Sequence, residues 1–164
     1  MDKMIRVQKC KKADYFDKYD QRYSEDCKKY DDPGYHKPSL QAEEEWWDME
    51  IERGLHKIYS IHTKQNNVIG FIHLFSFKNN KCETGITVFP KYNWNKGYAF
   101  AAYKQLEKKI LPHEDLQEIY AETSEHNKGA ISLYKKLGYK ISGSYEENNI
   151  KWLVLTKYLN SDNR

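Results

Sequence analysis

The sequence predicts an α/β layered domain built around a mixed sheet. Two observations predict it. A block of β-branched and aromatic runs in the middle of the chain lies between segments whose apolar residues recur at helical spacing. The order read along the chain is helix, helix, three strands, helix, strand, helix, two strands. That interleaving gives a sheet helices to pack against.

The first helix is predicted from about Ala13 to Tyr23, where Tyr15, Phe16, Tyr19 and Tyr23 share a helical face. "YDDPGYHKPS" follows, and its two prolines and glycine read as an exposed loop. Ser39 caps a second helix with the acidic first turn Glu43-Glu44-Glu45, along which Trp47, Ile51 and Leu55 recur every four residues, with Gly54 near its end. "KIYSIHT", "NVIGFIHLFSF" and "CETGITVF" are three antiparallel strands, joined across "KQNN" and "KNNK". A third helix runs from about Gly97 to Ile110 with Ala102, Leu106 and Ile110 on one stripe and Pro112 beyond it. "EIYAETS" is a short strand. "NKGAISLYKKLGY" is a helix that Asn127 caps and Gly138 ends in the left-handed conformation. "YKISGSY" and "WLVLTKYL" close the chain as two strands joined across "EENN".

Residues 1–164 fit one domain, with no repeat or low-complexity linker to divide them. Acids and lysines are interspersed and the net charge is only +3, a pattern of solvated faces that argues against nucleic acid as partner. Cys10, Cys27 and Cys82 are widely separated and lack CxxC spacing, so neither a disulfide framework nor a zinc cluster is expected, and a reducing cytoplasm suits them. No membrane span or signal-peptide core is apparent. The six histidines show no metal-binding spacing, and no metal is expected; His73, alternating with apolar residues, suits packing or the wall of a cleft.

"ITVFPKYNWNKGYAFAAYKQL" passes from strand to helix through Lys96-Gly97-Tyr98-Ala99. Small residues there admit a ligand to the backbone, and the helix N-terminus offers an anion site. It is neither a Rossmann fingerprint nor a Walker A loop. With N-x-x-A-x-x-L-Y-x-x-L-G-Y some thirty residues later, V-x-P…G-x-A entering a helix resembles the GNAT superfamily of N-acetyltransferases. "NVIGFIHL", "ETGITV" and "WNKGYA" are similar to the branch containing the ribosomal-protein N-terminal acetyltransferases. The resemblance covers roughly residues 5 to 159. Trp94 stands where the superfamily usually carries Gln or Arg, which touches one side-chain contact and leaves the backbone cradle intact.

The resemblance implies a mostly antiparallel sheet of six to seven strands, helices on both faces, and strands four and five splayed apart. It implies acetyl-CoA as co-substrate: pyrophosphate on the amides of Asn95, Lys96, Gly97, Tyr98, Ala99 and Phe100, pantetheine along Ile86, Thr87 and Val88, and Asn127 bonding a pantetheine amide. Transfer to an amine needs a base, an oxyanion donor and an acid for the departing thiolate. The resemblance assigns the acid to Tyr134 and the oxyanion donor to the Val88 N–H. For the base it offers Glu122 on the fifth strand, the preferred candidate, or Glu83 on the fourth strand acting through water. The acceptor is an amine. The second helix and the loop before it carry Asp31, Asp32, Glu43, Glu44, Glu45, Asp48, Glu50 and Glu52 around Trp46 and Trp47, a setting for a cationic peptide, a polyamine or an aminoglycoside. The same acids also suit a solvated helix face, and the sequence leaves that open.

Overall fold

The computed structural model describes residues 5–28 and 36–159. Seven strands form one sheet: β1 (Ile5–Lys9), β2 (Lys57–Thr63), β3 (Val68–Lys78), β4 (Lys81–Val88), β5 (Glu118–Ser124), β6 (Lys140–Glu147) and β7 (Ile150–Tyr158). Their spatial order is β1-β2-β3-β4-β5-β7-β6, antiparallel throughout except for β4 and β5. The helices are α1 (Lys12–Asp17), α2 (Tyr19–Arg22), α3 (Glu25–Lys28), α4 (Leu40–Trp46), α5 (Tyr98–Lys109) and α6 (Lys128–Lys136).

Both faces are covered. Ala102, Tyr103 and Leu106 of α5 join Tyr134 of α6 and Leu137 beyond it over Ile61, Ile72, Leu74, Cys82, Ile119 and Leu155 of the sheet. On the opposite face, Tyr15 of α1 and Trp47 beyond α4 pack with Ile58, Phe71 and Phe89. The alternation of β3 serves both layers, Phe71 pointing one way and Ile72 and Leu74 the other. At Gly70 an added Cβ would lie 2.4 Å from the Thr87 carbonyl oxygen, so β3 passes β4 there with no room for a side chain. The hairpin turns use left-handed asparagines, Asn79–Asn80 and Asn148–Asn149, the pairing that favours a tight turn.

Three expectations change. A strand not expected, β1, precedes the helices, with Ile5 and Val7 buried and Arg6 exposed; five residues of alternation are a short signal. The helix expected from Ala13 to Tyr23 is two, because Lys18 leaves helical geometry between α1 and α2. The second helix continues from α4 as a π-helical turn over Trp47–Ile51, and the Glu52 N–H bonds the Trp47 carbonyl five residues back. That wider turn breaks the four-residue rhythm, and Leu55 lies exposed beyond it. Most of the predicted loop, including Asp31 and Asp32, lies outside the described residues. Among the described residues no helix is long and apolar enough to cross a membrane.

Candidate active site

The sheet is open in the middle. β4 and β5 pair in parallel only at Lys81–Glu118, Cys82–Ile119 and Glu83–Tyr120. Beyond Glu83 the two strands separate, β5 staying with β7 and β4 with β3. The Phe89 N–H donates to the Ile69 carbonyl at 2.8 Å, which makes Gly70–Val88 a non-hydrogen-bonded pair of the antiparallel ladder. The main-chain groups of Val88, and of Ile86 two residues earlier, therefore turn away from β3 toward the gap. Those of Thr87 turn to β3, so of the three expected pantetheine contacts Ile86 and Val88 have the right direction.

The loop after β4 is tied to this edge, since the Trp94 indole N–H donates to the Val88 carbonyl at 2.6 Å. Asn95 (φ 57°) and Gly97 (φ 84°) then turn the chain through the left-handed region into α5. No side chain caps α5 and its first turn carries no acid; the first intrahelical bond is Ala101 N–H to Gly97 O. Lys96, Gly97 and Phe100 are exposed there, an arrangement that suits an anion. Asn127 caps α6, its Oδ1 accepting from the Ala130 N–H at 3.1 Å, so the side-chain amide keeps its donor end for a ligand.

Tyr134 is fixed by the end of α6. Gly138 (φ 95°) is the left-handed terminator, with the Gly138 N–H on Lys135 O and the Tyr139 N–H on Tyr134 O, a Schellman pair. The Tyr139 ring packs on Tyr134 with centroids 5.1 Å apart. The Lys157 ammonium donates to Leu137 O at 2.6 Å and to Glu107 at 2.8 Å, tying α5, the end of α6 and β7 together. Tyr134 is 4% exposed, and burial pushes its phenol up to about 12, so it stays protonated at neutral pH. Its Oη lies 3.0 Å from the Tyr103 Oη, and that in turn 3.0 Å from the Thr84 Oγ1.

The carboxylates lie on the other face. Ile119 and Ala121 of β5 enter the α5–α6 core, so Tyr120 and Glu122 project oppositely. Glu83 stands opposite Phe75 on β3 and beside Tyr120 on β5, on that same side. Glu83 is half-buried, and burial together with the Glu122 charge pushes its carboxyl up to about 7. Glu122 is exposed and accepts from the Tyr145 hydroxyl at 2.9 Å. Next to this pair are His56 and His73, whose Nε2 and Nδ1 lie 2.7 Å apart. His56 stacks on Phe75 with centroids 5.0 Å apart, and Trp46 meets it edge-on at 4.9 Å. Burial holds His56 down at about 4, and burial with the neighbouring imidazole holds His73 at about 3, so this wall is uncharged at neutral pH.

The acidic second helix is less available than its composition implies. Glu43 is buried, 4% exposed, in an ion pair with Arg22 at 2.9 Å, and accepts from the Tyr23 hydroxyl as well. Glu44 pairs with Lys12, Glu45 accepts from Gln41, and Glu52 accepts from the Trp47 indole. Trp47 is core, which leaves Trp46 at the cleft. No motif marks Tyr103, Thr84 or Tyr145, and His56 stands in the sequence only as one of six histidines without metal-binding spacing. The one available signal was a tyrosine, Tyr103, one turn before Leu106 on the α5 core stripe. Among the described residues no group of three His, Cys, Asp or Glu is placed to hold a metal, and the three cysteines are free thiols.

A splayed parallel pair beside an uncapped helix N-terminus makes an α/β fold whose open edge suits an extended ligand that ends in a phosphate. Residues 6–140 match the acetyltransferase (GNAT) domain, so the chain belongs to the GNAT acetyltransferase family and is an acetyl-CoA-dependent N-acetyltransferase. Spermidine N-acetyltransferase from Vibrio cholerae, solved in complex with CoA and spermine, has a similar structure: TM-score 0.79, 18% identity, 95% of this chain and 96% of that one. The dodecameric structure of that enzyme in an intermediate state gives 0.77 at 15% identity, covering 95% and 94%. A domain from Methanocaldococcus jannaschii gives 0.79 at 18%, covering 94% and 98%. At such identities the likeness is one of fold. The first two structures are of one enzyme, named for spermidine, and do not specifically represent the ribosomal-protein branch expected from the sequence. No curated protein sequence matches the chain.

Proposed function

We propose that this acetyltransferase acetylates a primary amine of a small polycation of the polyamine class, with Glu83 as base and Tyr134 as acid. The observation that carries the reading is the arrangement about the gap. Glu83 and Glu122 project to one side of the sheet, and Tyr134 lies on the other, at the point where β4 and β5 part. A thioester in the gap then meets the amine from the carboxylate side and releases its thiolate toward the phenol.

Acetyl-CoA would lie with its pyrophosphate at Asn95–Phe100 and its pantetheine beside Ile86 and Val88, with Asn127 donating to a pantetheine amide. The Val88 N–H would polarise the thioester carbonyl. A base with a midpoint near neutrality is half-ionised where it must act, which favours Glu83 over the exposed Glu122. Glu122, steadied by Tyr145, would hold the second charge of the acceptor. The neutral imidazole and aromatic wall of Trp46, His56 and Phe75 offers a cation faces without repelling it. The spermidine acetyltransferases of similar fold support the acceptor class.

A cationic N-terminal peptide is the second reading, favoured by the position of Glu122 on β5. Mass-spectrometric turnover of spermidine, a basic N-terminal peptide, an aminoglycoside and a neutral alkylamine separates them. Acetylation of the peptide alone would replace the polyamine reading.

A further inference from the structure

The hydroxyls behind Tyr134 have a fixed sense. The Thr84 Oγ1 lies 2.9 Å from the His73 carbonyl oxygen, which can only accept, so the single hydroxyl proton of Thr84 is committed there. Thr84 must then accept from Tyr103, which commits the Tyr103 proton. Tyr103 in turn accepts from Tyr134. All three side chains are buried: Thr84 is 2%, Tyr103 0% and Tyr134 4% exposed, so water does not offer substitute donors. In the resting protein the Tyr134 proton therefore points away from the gap.

We infer that Tyr103 and Thr84 are positioning residues for acetyl transfer, forming a hydroxyl chain that reverses its sense when Tyr134 protonates the departing thiolate. This rests on Tyr134 being the acid. In the step, the carbon–sulfur bond breaks, the Tyr134 O–H bond breaks and an S–H bond forms. For this the Tyr134 O–H turns from Tyr103 to the sulfur; the Tyr103 O–H turns to donate a hydrogen bond to the Tyr134 oxyanion, the Thr84 O–H turns to Tyr103, and the His73 carbonyl is released. No electron is gained or lost. The amine nitrogen sheds two protons, one to Glu83 before attack and one as the amide forms; by way of solvent one of them replaces the proton that Tyr134 gave to sulfur, and the other is released. The hydrogen bond from Tyr103 to the phenolate is thus absent from the resting protein and made only as the chain reverses, which favours the transition state over the bound substrate.

The test is single-turnover acetyl transfer, with acetyl-CoA affinity measured alongside, in Tyr134→Phe, Tyr103→Phe, their double variant, Thr84→Val and Thr84→Ser. Tyr134→Phe should slow transfer by about a hundredfold. Tyr103→Phe should slow it on the order of tenfold with unchanged affinity, as befits a hydrogen bond to a charged form. The double variant should be no slower than Tyr134→Phe, because the chain acts only through that phenol. Thr84→Val should be slow and Thr84→Ser close to wild type, since serine restores the hydroxyl. If Tyr103→Phe does not fold, the Thr84 pair decides alone. Wild-type rates for Tyr103→Phe and Thr84→Val beside a slow Tyr134→Phe would overturn the relay and leave the acid in place. So would additive losses, or a Thr84→Ser variant as slow as Thr84→Val. A wild-type rate for Tyr134→Phe would remove the acid itself.

Discussion

Replacing Glu83 by glutamine keeps the shape of the side chain and removes its charge and its basicity. Burial and the Glu122 charge set the Glu83 midpoint at about 7, against an ordinary 4.5. At about pH 6 roughly a tenth of the enzyme then has the base ionised, and at about pH 8 roughly nine-tenths. The kcat/KM for the amine should therefore climb about tenfold across that interval in the wild type, with slope near one on the acid side. Glu83→Gln should lose that limb and run about a hundredfold or more below the wild-type plateau, the usual worth of a positioned base. The assay is thiol release from acetyl-CoA at saturating co-substrate, followed from about pH 5.5 to pH 8.5 so as to bracket the limb. A Glu83→Gln profile with the wild-type limb and height would refute the assignment, and a Glu122→Gln profile without that limb would move the base to β5.

Glu122→Gln should shift the acid limb to lower pH, because the Glu122 charge helps to raise the Glu83 midpoint; an unmoved limb in the pH–rate profile would deny the coupling. The raised midpoint also means that the folded state binds the Glu83 proton more tightly than the unfolded state. Stability is therefore lost as pH rises from about 4.5 to about 7, and Glu83→Gln should melt above wild type at about pH 8 but not at about pH 4. Gly97→Val places a branched side chain at φ 84° in the loop proposed to hold the pyrophosphate and should weaken acetyl-CoA binding at least tenfold by calorimetry. Arg22→Met strands the buried Glu43 carboxylate and should cost about 3–5 kcal/mol in urea unfolding, much of it regained in Arg22→Met/Glu43→Leu.

The regular parts of this fold were readable because local chemistry and tertiary need agree there. Asn79–Asn80 supply the turn that their hairpin needs, and Gly138 supplies the left-handed stop that holds Tyr134 in register. The misread helix near Trp47 shows the converse. A four-residue rhythm cannot reveal a π-helical turn whose extra residue is favoured by packing Trp47 into the sheet. The acidic composition of α4 misled for a related reason: Glu43 is consumed by Arg22, twenty-one positions away in sequence, and only the tertiary structure brings that partner to it. At the site, the cradle and the α6 motif are contiguous and could be read as words. The hydroxyl chain and the imidazole wall draw on α5, β3, β4 and the segment before β2, and no local pattern links those segments. The elevated Glu83 carboxyl is likewise a product of burial and of a neighbour on another strand.

The central claim is acetyl transfer to a cationic amine steered by the Glu83–Glu122 side of the gap. The direct measurement is the ratio of kcat/KM for spermidine to that for a neutral-chain monoamine of similar length, taken at low and high salt in wild type and Glu122→Gln. The ratio should lie well above one at low salt, fall as salt screens the carboxylates, and fall again in Glu122→Gln. Equal kcat/KM for both amines, insensitive to salt and to Glu122, would contradict it.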